Sequence, residues 1–192
     1  MIDFLTLADI PLADWPALFD RAASFSQQRC ARTLENLSVA VVMEKASTRT
    51  RVSFEVGVFE LGGHAVVIQT EGSQIARGEP VEDTARVLAS YCQAIVVRTF
   101  GQERLAAYAK AANVPVINAL CDREHPCQAL ADLLTLRERF GTLQGLRLAY
   151  LGDGNNVCHS LLLLGATLGV NVGVACPPDY RPDSEIVAQA ER

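Results

Sequence analysis

The sequence predicts an α/β protein in which a parallel sheet is flanked by helices on both faces, giving three αβα layers. Short runs of Val, Ile and Ala alternate with stretches of helical periodicity, a pattern typical of parallel strands joined by helices. The strand runs are almost continuous in apolar residues, as expected of strands buried on both faces. With 192 residues, 49% of them hydrophobic, the chain can bury one sizeable core and part of another.

The first domain is predicted over residues 1–140. Trp15, Phe19 and Ala22 lie at helical spacing within an amphipathic helix over 14–28. The predicted strands that follow are 38–43, 65–69, 94–99 and 114–120, and the predicted helices are 50–61, 81–91, 102–112 and 126–140. Because a helix follows each strand, we expect a complete sheet whose strands run in one direction.

A second domain is predicted over residues 141–192, after a connector at 141–145. It begins with a strand over 146–151 and a glycine turn, and continues with a helix over 155–168 and a strand over 170–176. A turn-rich loop leads to another helix from residue 184. Two strands leave a sheet edge open and a core unfinished. We therefore expect an incomplete Rossmann-like domain in a chain that is part of a longer protein.

Composition and charge exclude some classes of function. A formal charge of -5 argues against a nucleic-acid binder held by general electrostatics, although a local arginine cluster can still hold an anion. Neither a secretion signal nor an apolar run of roughly 20 residues is present, so we expect a cytoplasmic protein. The six cysteines form no CxxC pair, which favours reduced thiols over disulfides. They are Cys30, Cys92, Cys121, Cys127, Cys158 and Cys176.

The strongest chemical signal is Ser47-Thr48-Arg49-Thr50-Arg51, which follows a predicted strand and opens a predicted helix. Ligands of open parallel sheets bind beyond the carboxyl ends of the strands. The helix N-terminus, three hydroxyls and an arginine fork together suit a phosphate group. The alternative interpretation is ordinary Ser/Thr capping beside solvated arginines.

Further polar residues follow other strands on the same edge. Arg98 ends the third strand, and His125-Pro126-Cys127-Gln128 lies between the fourth strand and its helix. Each has a plain alternative, since a strand-end arginine can be solvated and a proline in a first helical turn is ordinary capping geometry. Zinc ligation by Cys121, His125 and Cys127 matches no usual ligand spacing.

The turn Gly152-Asp153-Gly154 fails as a dinucleotide fingerprint. The third glycine position is Val157, and no acidic residue ends the next strand. The sequence also has no Walker loop and no Gly-x-Ser-x-Gly elbow. Asn155 and Asn156 are either helix caps or contacts to a second substrate.

Two motifs resemble those of the aspartate/ornithine carbamoyltransferase superfamily. The run Ser47–Arg51, within Met43–Glu55, is similar to its carbamoyl-phosphate signature, and His125-Pro126-Cys127-Gln128, followed by Ala131-Asp132, is similar to its second motif. Arg77-Gly78-Glu79, Asp83–Leu88 and Gly152–Asn156 resemble the ornithine branch. The resemblance implies a carbamoyl-phosphate-binding domain over 1–140 and the start of an ornithine-binding domain over 141–192.

The resemblance also implies roles for single residues. Ser47, Thr48, Arg49 and Thr50 would bind the phosphate, Arg98 would bridge phosphate and carbonyl, and His125 would polarise the carbonyl oxygen. Gln128 and the backbone of Leu120 would hold the carbamoyl amino group. Leu120 and Asn156 would border ornithine. Gln74 would reach into a neighbouring subunit's site, which implies a homotrimer or a multiple of it. No metal and no cofactor is implied.

The implied reaction moves the carbamoyl group of carbamoyl phosphate to the side-chain amine of L-ornithine, giving L-citrulline and phosphate, as in arginine biosynthesis or the urea cycle. The family's Ser-Met-Gly and His-Cys-Leu-Pro segments do not occur before Arg192, so we expect this chain alone to be impaired. Two alternatives stay open. One is another amine (putrescine, an acetylated ornithine or aspartate), and the other is a non-catalytic protein that binds carbamoyl phosphate or assembles with partners.

Overall fold

The computed structural model describes residues 2–27 and 32–192 as two α/β units. Four parallel strands of the first unit lie in the order β2-β1-β3-β4. The strands are β1 (Ser38–Met43), β2 (His64–Gln69), β3 (Ala94–Arg98) and β4 (Val116–Leu120). The helices are α1 (Trp15–Gln27), α2 (Thr48–Glu60), α3 (Val81–Tyr91), α4 (Gln102–Ala111) and α5 (Pro126–Phe140). The predicted fold class is confirmed.

The central strands are buried because apolar side chains leave both faces of the sheet. On β1, Ala40 and Val42 pack into a cluster with residues of α3 and α4, whereas Val41 packs into a second cluster with Val58 of α2. Ile95 and Val97 of β3 join the first cluster. The near-continuous apolar runs of the sequence therefore correspond to strands covered on both sides.

The segment before α1 covers the outer edge of β4. Phe4 forms an isolated parallel bridge with Ile117, and the N–H group of Phe4 donates to the carbonyl of Val116 over 2.8 Å. The carboxylate of Asp3 accepts from the N–H group of Val116. The edge strand is thus protected by main-chain pairing, which blocks edge-to-edge association.

The second unit has two parallel strands, β5 (Arg147–Leu151) and β6 (Asn171–Ala175), with helices α6 (Asn156–Thr167) and α7 (Ser184–Ala190). Its strands alternate between exposed and half-buried residues, and the side chain of Leu151 is 78% exposed. The incomplete second sheet expected from the sequence is therefore present. No helix within 2–27 and 32–192 combines the length and apolar character needed to cross a membrane.

The two units share one apolar cluster. Trp15 and Phe19 of α1, and Leu133 of α5, pack in the same cluster as Leu164 of α6 and Ile186 of α7. Helix α5 lies directly against α6. This contact sets the start of α6 beside the loop that follows β4, which is the loop that carries His125.

Candidate active site

The strands of the first sheet end at one level and form a cleft of about 620 Å³. Met43 of β1 pairs in register with Gln69 of β2 and Arg98 of β3. The loop after β1, the end of β3 and the loop after β4 therefore come together at the carboxyl edge. The cleft is lined by Ser47, Arg49, Thr50, Ser53, Phe54, Arg98, Ala119, Leu120, His125, Cys127, Gln128, Ala131, Asp132 and Val157.

The first wall of the cleft is the start of α2. Ser47 is its N-cap, and the Ser47 Oγ atom accepts from the Thr50 N–H group over 3.2 Å. Arg98 Nη1 donates to Thr50 Oγ1 over 3.1 Å, which ties β3 to this turn. The N–H groups of Thr48 and Arg49 have no acceptor within the described ranges. Free N–H groups and the positive end of the helix dipole make this turn favourable for an anion.

Two guanidinium groups face the same cleft. Burial lowers the pKa of the Arg98 guanidinium, and the nearby charge of Arg49 lowers it further. The Nε atom of Arg98 is buried and has no hydrogen-bond partner among the described residues. A multiply charged anion between the two arginines would relieve their repulsion and accept from both. The charge pattern of the cleft therefore suits a phosphate group.

His125 stands at the N-cap position of α5, before Pro126. Its backbone N–H donates to Ser160 Oγ over 2.8 Å. Burial, with a smaller contribution from the charge of Arg98, lowers the pKa of its imidazole to about 4. The ring is therefore neutral at pH 7. Its Nδ1 atom is buried without a hydrogen-bond partner in the described part of the chain, and the residue lines the cleft.

Gln128 and Leu120 also line the cleft that contains His125. Gln128 is exposed, and its side-chain amide donates to Asp132 Oδ1 over 2.9 Å, one helical turn further on. The carbonyl of Leu120 accepts from the N–H group of Thr99 over 2.9 Å. A carbonyl oxygen has a second lone pair, so Leu120 can still accept from a ligand amino group.

Three predicted site residues do not line this cleft. Thr48 is exposed and lines a neighbouring cavity of about 770 Å³ beside α2. Gln74 is exposed in a 3₁₀ turn (Gln74–Arg77), where its Oε1 accepts from Arg77 at 3.4 Å. Asn156 donates its side-chain amide to the carbonyl of Cys121 over 2.6 Å. Asn156 thus contacts the loop after β4 instead of the open space of the cleft.

Comparison with known families places this geometry in context. Residues 3–138 match the family model described as aspartate/ornithine carbamoyltransferase, carbamoyl-P binding domain. Residues 144–192 match the model described as aspartate/ornithine carbamoyltransferase, Asp/Orn binding domain. The chain belongs to the aspartate/ornithine carbamoyltransferase family.

Within this family, the chain is 57% identical over 189 residues to an ornithine carbamoyltransferase of Acidothermus cellulolyticus and 53% identical to one of Thermosynechococcus vestitus. These alignments cover 97% and 98% of the chain but 61% of each relative. The structure of ornithine carbamoyltransferase from Pyrococcus furiosus superposes with a TM-score of 0.94 at 44% identity, covering 98% of this chain and 62% of that one. The chain therefore spans about three fifths of the length of the relatives it matches.

A buried ionic cluster behind the family's phosphate motif was not predicted from the sequence. The carboxylate of Glu44, whose side chain is 4% exposed, accepts two hydrogen bonds from Arg104 and one each from Thr99 and Tyr108. Desolvation raises the pKa of Glu44, but these hydrogen bonds outweigh it and lower the pKa overall. Because Glu44 directly follows β1 and Thr99 directly follows β3, the cluster ties both sides of the anion site to α4.

Other lining residues were missed for identifiable reasons. Ser53 lies four residues after Arg49, so helical periodicity places both on one face of α2. Asp132 stands in the same relation to Gln128, and this spacing was a usable signal. Val157, which lines the cleft, and Ser160, which does not line it but accepts from the His125 N–H group, come from α6 of the other unit. Their approach depends on packing between elements distant in the sequence, for which the chain carries no local signal.

The thiols of the predicted cysteine set are free within the described ranges, and Cys30 lies outside them. Cys121 Sγ donates to Gln102 Oε1 over 2.9 Å, and Cys127 Sγ contacts the carbonyl of Asn118 at 3.4 Å. Burial raises the pKa of the Cys127 thiol to about 11. No group of three or more His, Cys, Asp or Glu among residues 2–27 and 32–192 is arranged to hold a metal ion.

The glycine turn of the second unit has a packing role. A Cβ atom on Gly154 would lie 2.1 Å from the backbone nitrogen of Pro182, and the Gly154 N–H group donates to the carbonyl of Tyr180 over 2.8 Å. A larger cavity of about 1040 Å³ lies beside β6 and α7, lined by side chains such as Val172, Val174 and Val187. This cavity lacks the arginine pair of the smaller cleft. The smaller cleft is therefore the candidate active site because of its charged residues, although its volume is lower.

Proposed function

We propose that the protein containing this chain is an ornithine carbamoyltransferase, and that the cleft binds carbamoyl phosphate. The single observation that carries the proposal is the convergence of Arg49, Arg98 and the capped start of α2 on the cleft that also contains the neutral His125. The ornithine carbamoyltransferases among the relatives support the choice of amine. The reaction would supply citrulline to arginine biosynthesis or to a urea-cycle-type step.

The chemistry follows from where charge develops. The neutral amine of ornithine attacks the carbamoyl carbon, a C–N bond forms, the bond from carbon to the phosphate oxygen breaks, and the amine passes a proton to the departing phosphate. Negative charge grows on the carbonyl oxygen and on the departing phosphate. In the proposed complex, Arg49, the hydroxyls of Ser47 and Thr50 and the first N–H groups of α2 hold the phosphate. Arg98 contacts both phosphate and carbonyl oxygen.

His125 would donate its hydrogen bond to the carbonyl oxygen. A neutral ring polarises the carbonyl without adding a third positive charge to a site that already contains two arginines. Gln128 and the carbonyl of Leu120 would orient the carbamoyl amino group, and Asn156 would border the amino-acid end of ornithine. Holding the two substrates in a reactive arrangement supplies a further part of the rate.

The proposal is tested by Arg49→Ala in the full-length protein. Loss of one charged donor is expected to lower kcat/KM about 10²- to 10³-fold and to weaken carbamoyl-phosphate binding, with the fold unchanged. Citrulline formation and calorimetric binding are the measurements. Arg51→Ala is the matched control, because Arg51 pairs with Glu55 and lies outside the cleft. Unchanged kinetics for Arg49→Ala would overturn the assignment of the loop.

The same assay decides the amine. Ornithine, putrescine, N-acetylornithine and aspartate are offered to the wild-type protein at equal concentrations. A large preference for ornithine is expected, whereas a preference for another amine would keep the carbamoyl-phosphate site and change the name of the enzyme. Carbamoyl-phosphate binding with no transfer to any amine would favour the non-catalytic alternative.

We further propose that the active protein is a cytoplasmic homotrimer, or a multiple of one, with shared sites. Val52, Val56 and Phe59 form an exposed apolar stripe along α2, beside the cavity that Thr48 lines. Gln74 is exposed and outside the cleft of its own chain, as expected of a residue that serves a neighbouring subunit. The free thiols are compatible with a reducing compartment.

The shared-site proposal is tested by mixing two inactive proteins. Gln74→Ala and Arg98→Ala subunits are co-assembled, and some mixed sites would then contain neither substitution. We expect partial recovery of activity relative to either variant alone. Absence of recovery in trimers whose mixing has been verified by mass spectrometry would contradict shared sites.

A further inference from the structure

We propose that His159 and Ser160 of α6 are positioning residues that hold the backbone of the loop 121–125, and thereby set the place of the His125 ring in the cleft. This inference rests on the proposed carbamoyl transfer and adds to it. In this proposal, the second unit helps to form the carbamoyl-phosphate site, in addition to any contact that it makes with the amine substrate.

Three polar side chains lie on one face of α6. Asn156, His159 and Ser160 occupy positions i, i+3 and i+4, so they point in the same direction. Asn156 donates to the carbonyl of Cys121 over 2.6 Å, and His159 Nδ1 lies 2.9 Å from the carbonyl of Arg123. Ser160 Oγ accepts from the His125 N–H group over 2.8 Å.

These contacts form a regular pattern along the loop. The carbonyls of Cys121 and Arg123 and the N–H group of His125 alternate along five residues, and each meets one side chain of α6. The third contact, from Ser160 to the His125 N–H group, is on the same residue that carries the imidazole ring. Ser160 is fully buried, and His159 is 9% exposed. Buried polar groups that lose their partner cost more than exposed ones, so this face is a strong constraint on the loop.

His159 also connects the loop to the start of α7. The N–H group of Asp183, the N-cap of α7, donates to His159 Nε2 over 3.0 Å. Because Nε2 accepts, the proton of the ring lies on Nδ1 and is donated to the carbonyl of Arg123. One neutral imidazole therefore joins the His125 loop to a helix of the second unit. A shift of that unit would be passed to the loop through this ring.

The opposite side of the loop is held by the first unit. The N–H group of Asp122 donates to the carbonyl of Phe100, and the carboxylate of the buried Glu124 accepts from the N–H group of Leu7. These bonds hold Asp122 and Glu124 within the loop but leave the His125 N–H group to α6. Removal of Ser160 Oγ should therefore release His125 selectively.

The test compares Ser160→Ala with Thr167→Ala in the full-length protein. Both remove one hydroxyl from α6, but Thr167 Oγ1 bonds only to the carbonyl of Leu163 in its own helix. For Ser160→Ala we expect kcat to fall roughly 10- to 100-fold. The KM for carbamoyl phosphate should change by less than about threefold, because the arginines that hold the phosphate are untouched. Thr167→Ala should match the wild type.

A second readout does not depend on activity. This chain contributes His64, His125 and His159, and comparison with a His125→Asn variant identifies the His125 signal in an NMR titration of the full-length protein. The midpoint of His125 should lie near 4 in the wild type and move toward its ordinary 6.5 in Ser160→Ala, as the ring gains solvent. A folded Ser160→Ala with a wild-type kcat and an unmoved His125 midpoint would overturn the inference. Failure of ornithine carbamoylation by the wild type would instead remove the proposed function and leave the titration to decide the loop contact.

A pair of variants at His159 covers the case in which Ser160→Ala does not fold. The amide of asparagine retains a donor near the position of His159 Nδ1, which can reach the carbonyl of Arg123. Leucine, which is similar in size to asparagine, has no donor. We expect His159→Asn to keep at least about tenfold more of the wild-type kcat than His159→Leu. Equal losses in both variants would show that the ring acts only through packing and would contradict the positioning role.

Discussion

The two sheets of the molecule are built on the same strand–turn–helix plan but differ in how far they are covered. The central strands β1 and β3 of the first sheet are buried on both faces, whereas β5 and β6 alternate between exposed and half-buried residues. The first sheet carries the charged cleft at its edge, and the second contributes the polar face of α6. The difference teaches that the repelling charges of the cleft lie at the edge of the sheet whose central strands are covered, whereas the exposure of β5 and β6 belongs to a chain that spans about three fifths of the length of its relatives.

The largest expected effect is on stability, and it tests the difference in burial between the two sheets. Ile95 of β3 is fully buried, so Ile95→Ala should lower the free energy of unfolding by about 2–5 kcal/mol through lost burial and a residual cavity. Leu151 of β5 is 78% exposed in this chain, and Leu151→Ala should change the free energy of unfolding of the 192-residue chain by less than about 0.5 kcal/mol. Urea unfolding of both variants is the measurement. Similar losses for the two would remove the distinction between the sheets.

A smaller effect is expected from the ionic cluster behind the cleft. Glu44→Gln removes a buried carboxylate from Arg104, Thr99 and Tyr108, and should cost about 2–3 kcal/mol, since Arg104 is 36% exposed and its charge is partly screened. Arg86→Ala is the control, because its ion pair with Asp83 is exposed on both sides.

The effect of Glu44 should depend on pH. The folded protein lowers the pKa of this carboxyl group, so its contribution to stability is present above the ordinary pKa of 4.5 and is lost as the pH falls through the lower folded value. The stability difference between Glu44→Gln and the wild type should shrink below about pH 4.5. A difference that stays constant down to pH 3 would contradict the role of the ionised carboxylate.

The smallest predicted effect is at the N-caps of α2 and α6. It distinguishes the contribution of each cap to stability from its contribution to ligand binding. Ser47 caps α2, and Asn155 caps α6 by accepting from the N–H groups of Val157 and Cys158. Alanine at either position should cost about 1 kcal/mol in unfolding experiments. Only Ser47→Ala should also weaken carbamoyl-phosphate binding, measured by calorimetry. An equal loss of binding in Asn155→Ala would show that both turns contribute to the anion site.

Much of this arrangement could be predicted because its signals are local. The bounds of β1, α3 and α5 agree with the apolar patterns of the sequence, and the strand ends identify the edge at which the polar residues gather. β4 begins at Val116 and not at residue 114, because Pro115 lacks the N–H group needed for a ladder hydrogen bond. Helix α2 begins at Thr48 because Ser47 acts as its cap, so the predicted start at Thr50 was two residues late.

The contacts that escaped prediction are long-range. Glu44 and Arg104 are 60 positions apart, and His125 and Ser160 are 35 apart. Their pairing depends on how α4 and α6 pack, which no local pattern in the sequence specifies. Asn156 illustrates the limit, because its type suggested a cap or a ligand contact, whereas its amide binds the carbonyl of Cys121.

The unpartnered polar atoms of the cleft have a consequence for natural variation in this protein. Arg98 Nε and His125 Nδ1 are buried without hydrogen-bond partners in the described part of the chain, and such groups make the fold less stable than apolar ones would. Selection for stability alone would favour replacing His125 with an aliphatic residue, whereas selection for the proposed carbamoyl transfer would retain it. Laboratory evolution for heat resistance without an activity screen should therefore lose function first at this position.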